Sequence, residues 1–273
     1  DDLVGRHVIL LSEQGVGDII MFASMIGEVR AVAARVDLIV EQRLCALMRS
    51  SFPDLNVVAI ETCDLHSFPE QASCLFIGSL GSVLRRSRAD FPQTSFLMAD
   101  PQKVHGFRER LAQDGRKRIG ISWAGGLAHT RQAARTLALD DLLDVVGHRD
   151  DLALVSLQHG QDLAALHATA QSRGLDIAAF APADLHDMGD LAAPIASLDA
   201  VVTVQNTNVH LCGALGVPCL AILPPVPEWR YGLEGKQMAW YGSVELFRRT
   251  RLDGLPELVP ALRARLESVL AGS

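Results

Sequence analysis

Several features are scarce in this chain of 273 residues, and each scarcity closes off a class of protein. Long apolar runs are missing. The stretch Val217 to Val226 is interrupted by Pro218, Pro224 and Pro225, well under the ~20 residues a membrane-spanning helix needs. The five cysteines (Cys45, Cys63, Cys74, Cys212, Cys219) include no Cys-x-x-Cys pair and no His/Cys ligand spacing. Reduced, packed thiols in a cytoplasmic setting are expected, not a disulfide framework or a structural zinc site. Positive charge is in deficit, 25 Lys+Arg against 32 Asp+Glu, which excludes a general nucleic-acid binder. No methionine or signal stretch precedes Asp1-Asp2, so an excised piece of a longer protein is expected.

What is present is ample core material: 49% hydrophobic residues and a mean hydropathy of +0.19. The length exceeds the roughly 100–200 residues of one domain, which predicts two lobes. Short β-branched runs alternate with amphipathic stretches, the pattern of βα units around parallel sheets, and the pattern occurs twice. The first set places strands at 7–11, 36–40, 57–60 and 74–77, with helices near 18–34, 42–50 and 79–88. The second places strands at 118–123, 152–157, 176–180, 200–204 and 219–223, with helices near 139–147, 160–173, 187–197 and 207–215. The polar run Gln113-Asp114-Gly115-Arg116-Lys117 reads as the linker. The expected division is 1–114, 115–255, and a last helix within 256–273 that packs back on the first lobe.

Four segments carry chemistry. The loop Gln14-Gly15-Val16-Gly17-Asp18 joins the first strand to the first helix, and its glycines let a ligand approach the backbone and the helix N-terminus. The third glycine of a dinucleotide fingerprint is replaced by Ile20, so Gly-x-Gly-x-x-Gly chemistry is excluded. Asp18 is either an N-cap or a general base at the mouth of a cleft. Ser122-Trp123-Ala124-Gly125-Gly126, followed by His129, Arg131 and Arg135, offers a hydroxyl, flexible backbone and cations, a set suited to a diphosphate or carboxylate and equally to a solvated loop. Asn206, Thr207, Asn208 and His210 lie between a buried strand and a buried helix, where polar side chains are costly without a ligand; an anion cradle is expected there. Aromatics are only 5% of the chain, yet Trp229, Tyr231, Trp240 and Tyr241 cluster. They serve either to stack a base or sugar or as an apolar clasp, the role expected of Trp240.

These segments, with Arg135-Thr136-Leu137, Ser156-Leu157-Gln158, His210 to Gly216, Pro227-Glu228-Trp229-Arg230 and Trp240-Tyr241, follow one another in an order that resembles a known family. It is the glycosyltransferase module related to the ADP-heptose:lipopolysaccharide heptosyltransferases (family 9), often found behind tetratricopeptide repeats in bacteria. The resemblance spans nearly the whole chain. It implies an α/β GT-B fold with two Rossmann-like doubly wound lobes, the acceptor on the first (loop Gln14, Gly15, Gly17) and a nucleotide-sugar donor on the second (Ser122, Trp123, Arg135, Gln158, Asn206, Thr207, Asn208, His210). It also implies inverting transfer without a metal or other cofactor, with Asp18 as base. The implied acceptor is a protein, with flagellin as one case, or a glycan, and the implied partner is an upstream tetratricopeptide module. Relatives commonly carry Asp-Thr where this chain has Gln205-Asn206, Arg where it has Ser24, and Lys where it has His159. Two alternatives stay open: a non-catalytic nucleotide-sugar or protein-binding module, and a sugar-nucleotide epimerase, for which Asp190 and Glu228 are the candidate carboxylates.

Overall fold

The computed structural model describes residues 3–111, 115–126, 130–180 and 187–272. Asp1-Asp2, His129 and the linker positions Gln113 and Asp114 lie outside them. In chain order the elements are β1 (His7–Leu11), α1 (Val16–Phe22), α2 (Ile26–Arg30), β2 (Arg35–Val40), α3 (Gln42–Ser51), β3 (Asn56–Ala59), β4 (Ser73–Phe76), α4 (Gly81–Leu84) and α5 (Pro101–Leu111). After them come β5 (Lys117–Ser122), α6 (Gln132–Arg135), α7 (Leu139–Val146), β6 (Leu152–Ser156), α8 (Leu163–Ser172), β7 (Ile177–Ala179) and α9 (Met188–Ile195). The last are β8 (Ala200–Val204), α10 (Thr207–Leu215), β9 (Cys219–Leu223), β10 (Val244–Arg248) and α11 (Val259–Ala271). One sheet has the order β3-β2-β1-β4 and the other β10-β9-β8-β5-β6-β7, with every pairing parallel. The fold is α/β, as the alternating pattern predicts.

The central strands show why. Every residue of β8 (AVVTV) and β9 (CLAIL) is buried, as expected of parallel strands covered by helices on both faces. α10 stops at Gly216, whose φ of +80° closes the helix in the left-handed region, where glycine carries no Cβ penalty.

Several elements depart from the sequence reading, among them the short α6 and the division of the helix expected near 18–34 into α1 and α2. α5 was not anticipated, although Pro101 at its start and Asp100, whose Oδ1 accepts the N–H groups of Gln102 (2.8 Å) and Lys103 (3.3 Å), form a proper helix start. β10 (Val244–Arg248) lies beyond 219–223, the last strand expected from the sequence.

The larger apolar cluster begins around Leu10, Ile20 and Leu38 of the first sheet's layer. It continues into Val155, Val201, Val209 and Leu211 of the second. α1 packs on α10 and α3 on α9. A second cluster covers the far face of the second sheet, and there α11 buries Leu262, Leu266 and Leu270 against α7 and its neighbours. The last helix therefore caps the second sheet and does not return to the first lobe: its three leucines fall one turn apart on a single stripe, and the apolar face of α7 receives them.

The chain is tied to the second sheet's layers well before residue 114. Phe96 and Leu97 donate their N–H groups to the Ala214 carbonyl at 2.9 and 3.0 Å, and Gly242 donates to the Gln93 carbonyl at 3.1 Å. On α5, Lys103 pairs with Asp190 of α9 at 2.6 Å. No helix among the described residues is long and apolar enough to cross a membrane.

Candidate active site between the two sheets

The loop after β1 turns through Gln14, whose φ is +76°, and α1 starts with Gly15 as its N-cap. Asp18 is therefore the third residue of the helix, not its cap. That position aims its carboxylate out of the helix's first turn and across to the second lobe. There Arg230 Nη2 lies 3.0 Å from Oδ1 and donates a hydrogen bond to Oδ2 at 3.2 Å. Oδ1 is buried and accepts no hydrogen bond, and Arg230 Nε is likewise buried without a partner. Burial pushes the Asp18 carboxyl above its ordinary range and the nearby Glu228 adds to this, while Arg230 pulls in the opposite direction.

Beside this pair is a second set of charges. Glu228 Oε1 lies 3.4 Å from Arg131 Nη2 and 3.5 Å from Arg135 Nη2. Arg135 is buried and also donates from Nε to the Thr130 carbonyl at 2.9 Å. Its guanidinium fills the space where a Cβ on Gly126 would sit, 2.8 Å away. Three arginines and two carboxylates thus meet where the first turn of α1 faces the loop after β9.

The frame for these charges is a buried histidine. His210 on α10 has Nδ1 3.1 Å from the Tyr241 hydroxyl and Nε2 3.3 Å from the Tyr231 hydroxyl. Burial, with Arg230 nearby, pushes its pKa down to about 3, so the ring is neutral and one nitrogen accepts while the other donates. The same ring lies against Gly17, where an added Cβ would be 2.8 Å from Cδ2. Glycine permits that contact and keeps α1 close to α10.

A third group closes the C-terminal ends of the central strands β8, β5 and β6. Gln158 Oε1 accepts from Ser122 Oγ (3.1 Å), Trp123 N (3.0 Å) and Ala124 N (2.8 Å). Asn206 donates from Nδ2 to Ser122 Oγ (2.8 Å) and the Ala124 carbonyl (3.2 Å), while its Oδ1 caps α10 by accepting from Asn208 N at 2.9 Å. Strand ends of this kind are where open α/β sheets bind ligands.

Between the lobes opens a cleft of about 540 Å³, with Phe22, Arg85 and Arg88 on one wall and Trp229, Arg230 and Trp240 on the other. This is an ordinary size for a small-molecule site. Its floor is an aromatic stack in which Trp240 meets Phe91 and Phe22 edge-on, with ring centroids 4.8 and 5.9 Å apart.

No protein-family model matches the chain. It is 29% identical over 264 residues to Protein FlbA of Caulobacter vibrioides, covering 90% of itself and 44% of that protein. The chain thus spans less than half the length of the curated relative it matches. It superposes on a glycosyl transferase family 9 structure from Veillonella parvula over 99% of both chains, with a TM-score of 0.71 at 13% identity. The fold is that of family 9 glycosyltransferases. Escherichia coli ADP-heptose lps heptosyltransferase II shares it at a TM-score of 0.61 and 13% identity, over 96% of this chain and 99% of that one.

Within the family 9 fold the structure sorts the residues singled out from the sequence. Asp18, Arg135 and the loop Gln14, Gly15, Gly17 meet at the junction of the lobes. Ser122, Gln158 and Asn206 bind one another, and Asn208 Nδ2 donates to the Leu157 carbonyl at 3.2 Å, so these amides hold loops together. Trp123 contributes its backbone to the clamp and packs its ring on the second core. Thr207 is half-buried at the first position of α10. His210 is engaged by the hydroxyls of Tyr231 and Tyr241 and stays neutral, a frame for the charges around it. Asp190 is spent on Lys103, away from this junction, which leaves the epimerase alternative without one of its two carboxylates. Arg230 and Tyr231 were missed as charge and frame, although Pro227-Glu228-Trp229-Arg230-Tyr231 stood out for its aromatics. Gln205, a departure from relatives, accepts the Glu228 N–H at 3.2 Å through Oε1 and so fixes that segment.

Proposed function

We propose that the chain is an inverting glycosyltransferase module. The observation that carries the reading is the meeting of Asp18 and Arg230, which are 212 positions apart and come from opposite lobes, behind a cleft that Arg230 itself lines. In this reading the nucleotide-sugar donor lies over the second sheet, within 115–255, with its diphosphate near the N-terminus of α10, Arg131 and Arg135. The acceptor enters on the side of 1–114. Asp18 takes the proton from the acceptor hydroxyl, the oxygen attacks the anomeric carbon from the face opposite the nucleotide, and the nucleotide leaves. Helix N–H groups and arginines stabilise its growing negative charge. No step is routed through a metal. An ADP-sugar is the donor to try first, since ADP-heptose is in the name of the Escherichia coli enzyme of this fold.

A protein hydroxyl is the acceptor we favour, because Trp229 on the cleft wall is 62% exposed and Leu233 nearby 91%, apolar surface of a kind that suits a polypeptide. Flagellin presented by a tetratricopeptide module is the case the sequence resemblance raises. A non-catalytic binding module is the second reading, since the Asp18 carboxylate is already engaged by Arg230. The deciding experiment incubates the protein with a panel of nucleotide sugars and protein or glycan acceptors and compares wild type with Asp18→Asn. Donor binding by both and transfer by wild type alone is expected. Equal transfer by the variant removes Asp18 as base, and donor binding without transfer by wild type under every condition favours the binding module.

A further inference from the structure

The turn that carries Arg230 is fixed on both sides. Upstream, Glu228 N donates to Gln205 Oε1 at 3.2 Å. Downstream, the Tyr231 hydroxyl meets His210 Nε2 at 3.3 Å, and Arg248 donates to the Tyr231 carbonyl at 2.6 Å and the Gly232 carbonyl at 3.0 Å. Asp18 is fixed in its turn by the Gly17–His210 contact. One residue of α10, His210, therefore sets the position of both partners, one through Gly17 and the other through Tyr231.

The ion pair made this way is incomplete in a specific manner. Arg230 Nη2 donates to Oδ2 of Asp18 and lies 3.0 Å from Oδ1 without making a hydrogen bond to it, and Oδ1 and Arg230 Nε are both buried with no hydrogen-bond partner. A buried donor or acceptor without a partner is costly, so the pair behind the cleft is held at an energetic cost.

We infer that Arg230 is the positioning residue for Asp18: with Nη2 3.0 and 3.2 Å from the two carboxylate oxygens, it holds the carboxylate across the junction of the lobes in the orientation that takes the acceptor's proton. This rests on the reading of Asp18 as the base. The groups that face Asp18 are Arg230, Glu228 and Tyr231 from the loop after β9, Tyr241 further along, and His210 from α10. Arg230 is the cation among them, since His210 is neutral and the others are acids. Removing that charge leaves Asp18 with burial and the repulsion of Glu228, both of which favour its neutral form.

The test is the pH dependence of kcat/KM for wild type, Arg230→Gln and Arg230→Lys, beside Asp18→Asn, with melting curves for all four. In Arg230→Gln the acid limb is expected to rise by about one pH unit, with kcat reduced roughly tenfold or more and the donor KM little changed. Arg230→Lys, which restores the charge without the planar fork, should return the limb to its wild-type position and recover part of kcat. An acid limb that does not move in Arg230→Gln, or a loss confined to donor KM, overturns the assignment while Asp18→Asn still reports on the base. An active Asp18→Asn overturns the base reading itself, and this inference with it. Should Arg230→Gln fail to fold, the same shift is sought by isotope-edited infrared titration of the Asp18 carboxyl in Arg230→Lys: a midpoint within about half a unit of wild type supports the inference, and a rise as large as that expected for charge removal overturns it.

Discussion

Replacing Gly17 by alanine places a methyl group 2.8 Å from His210 Cδ2 and 3.3 Å from Nε2, where carbon atoms normally sit ~3.5–4.0 Å apart. The ring has little room to retreat, because tyrosine hydroxyls engage both of its nitrogens. α1 must move off α10 instead, and that contact lies inside the apolar cluster shared by the two sheets. Overpacking of this kind costs about 1–3 kcal/mol, and at roughly 2–4 °C per kcal/mol for chains near this size the melting temperature should drop by about 2–12 °C. Gly27→Ala is the control, since nothing lies within 4 Å of its added Cβ and its place in α2 makes the change neutral or mildly stabilising. Transfer activity should fall further than stability in Gly17→Ala, because the next residue is Asp18. The Gly17→Ala/His210→Ala double variant should cost less than the two single variants summed. A Gly17→Ala protein that melts with wild type or above it refutes the claim that this glycine admits the ring.

Two further outcomes follow from the same site. His210 keeps a pKa of about 3 when folded, against ~6.5 when unfolded. Between those values the unfolded chain binds the extra proton, so stability rises with pH there, is complete above ~6.5, and is lost as pH falls, at up to about 1.4 kcal/mol per pH unit. His210→Gln should flatten that slope in denaturant titrations between pH 4.5 and 6. Asp18, with its raised pKa, contributes in the opposite sense nearer the carboxylate range, and an unchanged slope in the variant rules out His210 as the source. Glu228→Gln releases Arg131 and Arg135 from their shared counter-charge and should tighten the binding of inorganic pyrophosphate or ADP by about 3–10-fold in calorimetry; weaker binding would instead make Glu228 a direct ligand contact.

The strands were legible because a parallel strand buried on both faces must be a continuous apolar run, and Ala200–Val204 and Cys219–Leu223 are such runs. β10 was not, because its Glu245 and Arg248 break that pattern: it is the last strand of its sheet, met on its outer side by the Lys236–Gln237 segment alone, and such an edge tolerates charge. α5 carries few apolar residues, so its periodicity is faint even though Asp100-Pro101 marks its start. At the site, Asp18 was visible from a local loop pattern, but its engagement with Arg230 is a long-range contact that no spacing encodes. Asn206, Asn208 and His210 were read as ligand groups on the sound rule that buried polar side chains need partners. Their partners proved to be Ala124, Leu157, Tyr231 and Tyr241.

The apolar cluster that runs unbroken from Leu10 to Leu211 bears on how this molecule can be re-engineered. Lobes joined by a bare linker behave as cassettes, and donor preference can be moved between relatives by grafting one half onto another. Here a graft would have to match the α1–α10 and α3–α9 faces and the strap of residues 93–97 pinned at Ala214 and Gly242. Productive chimeras of this fold should therefore keep both faces of that seam from one parent and exchange only the loops at the strand ends.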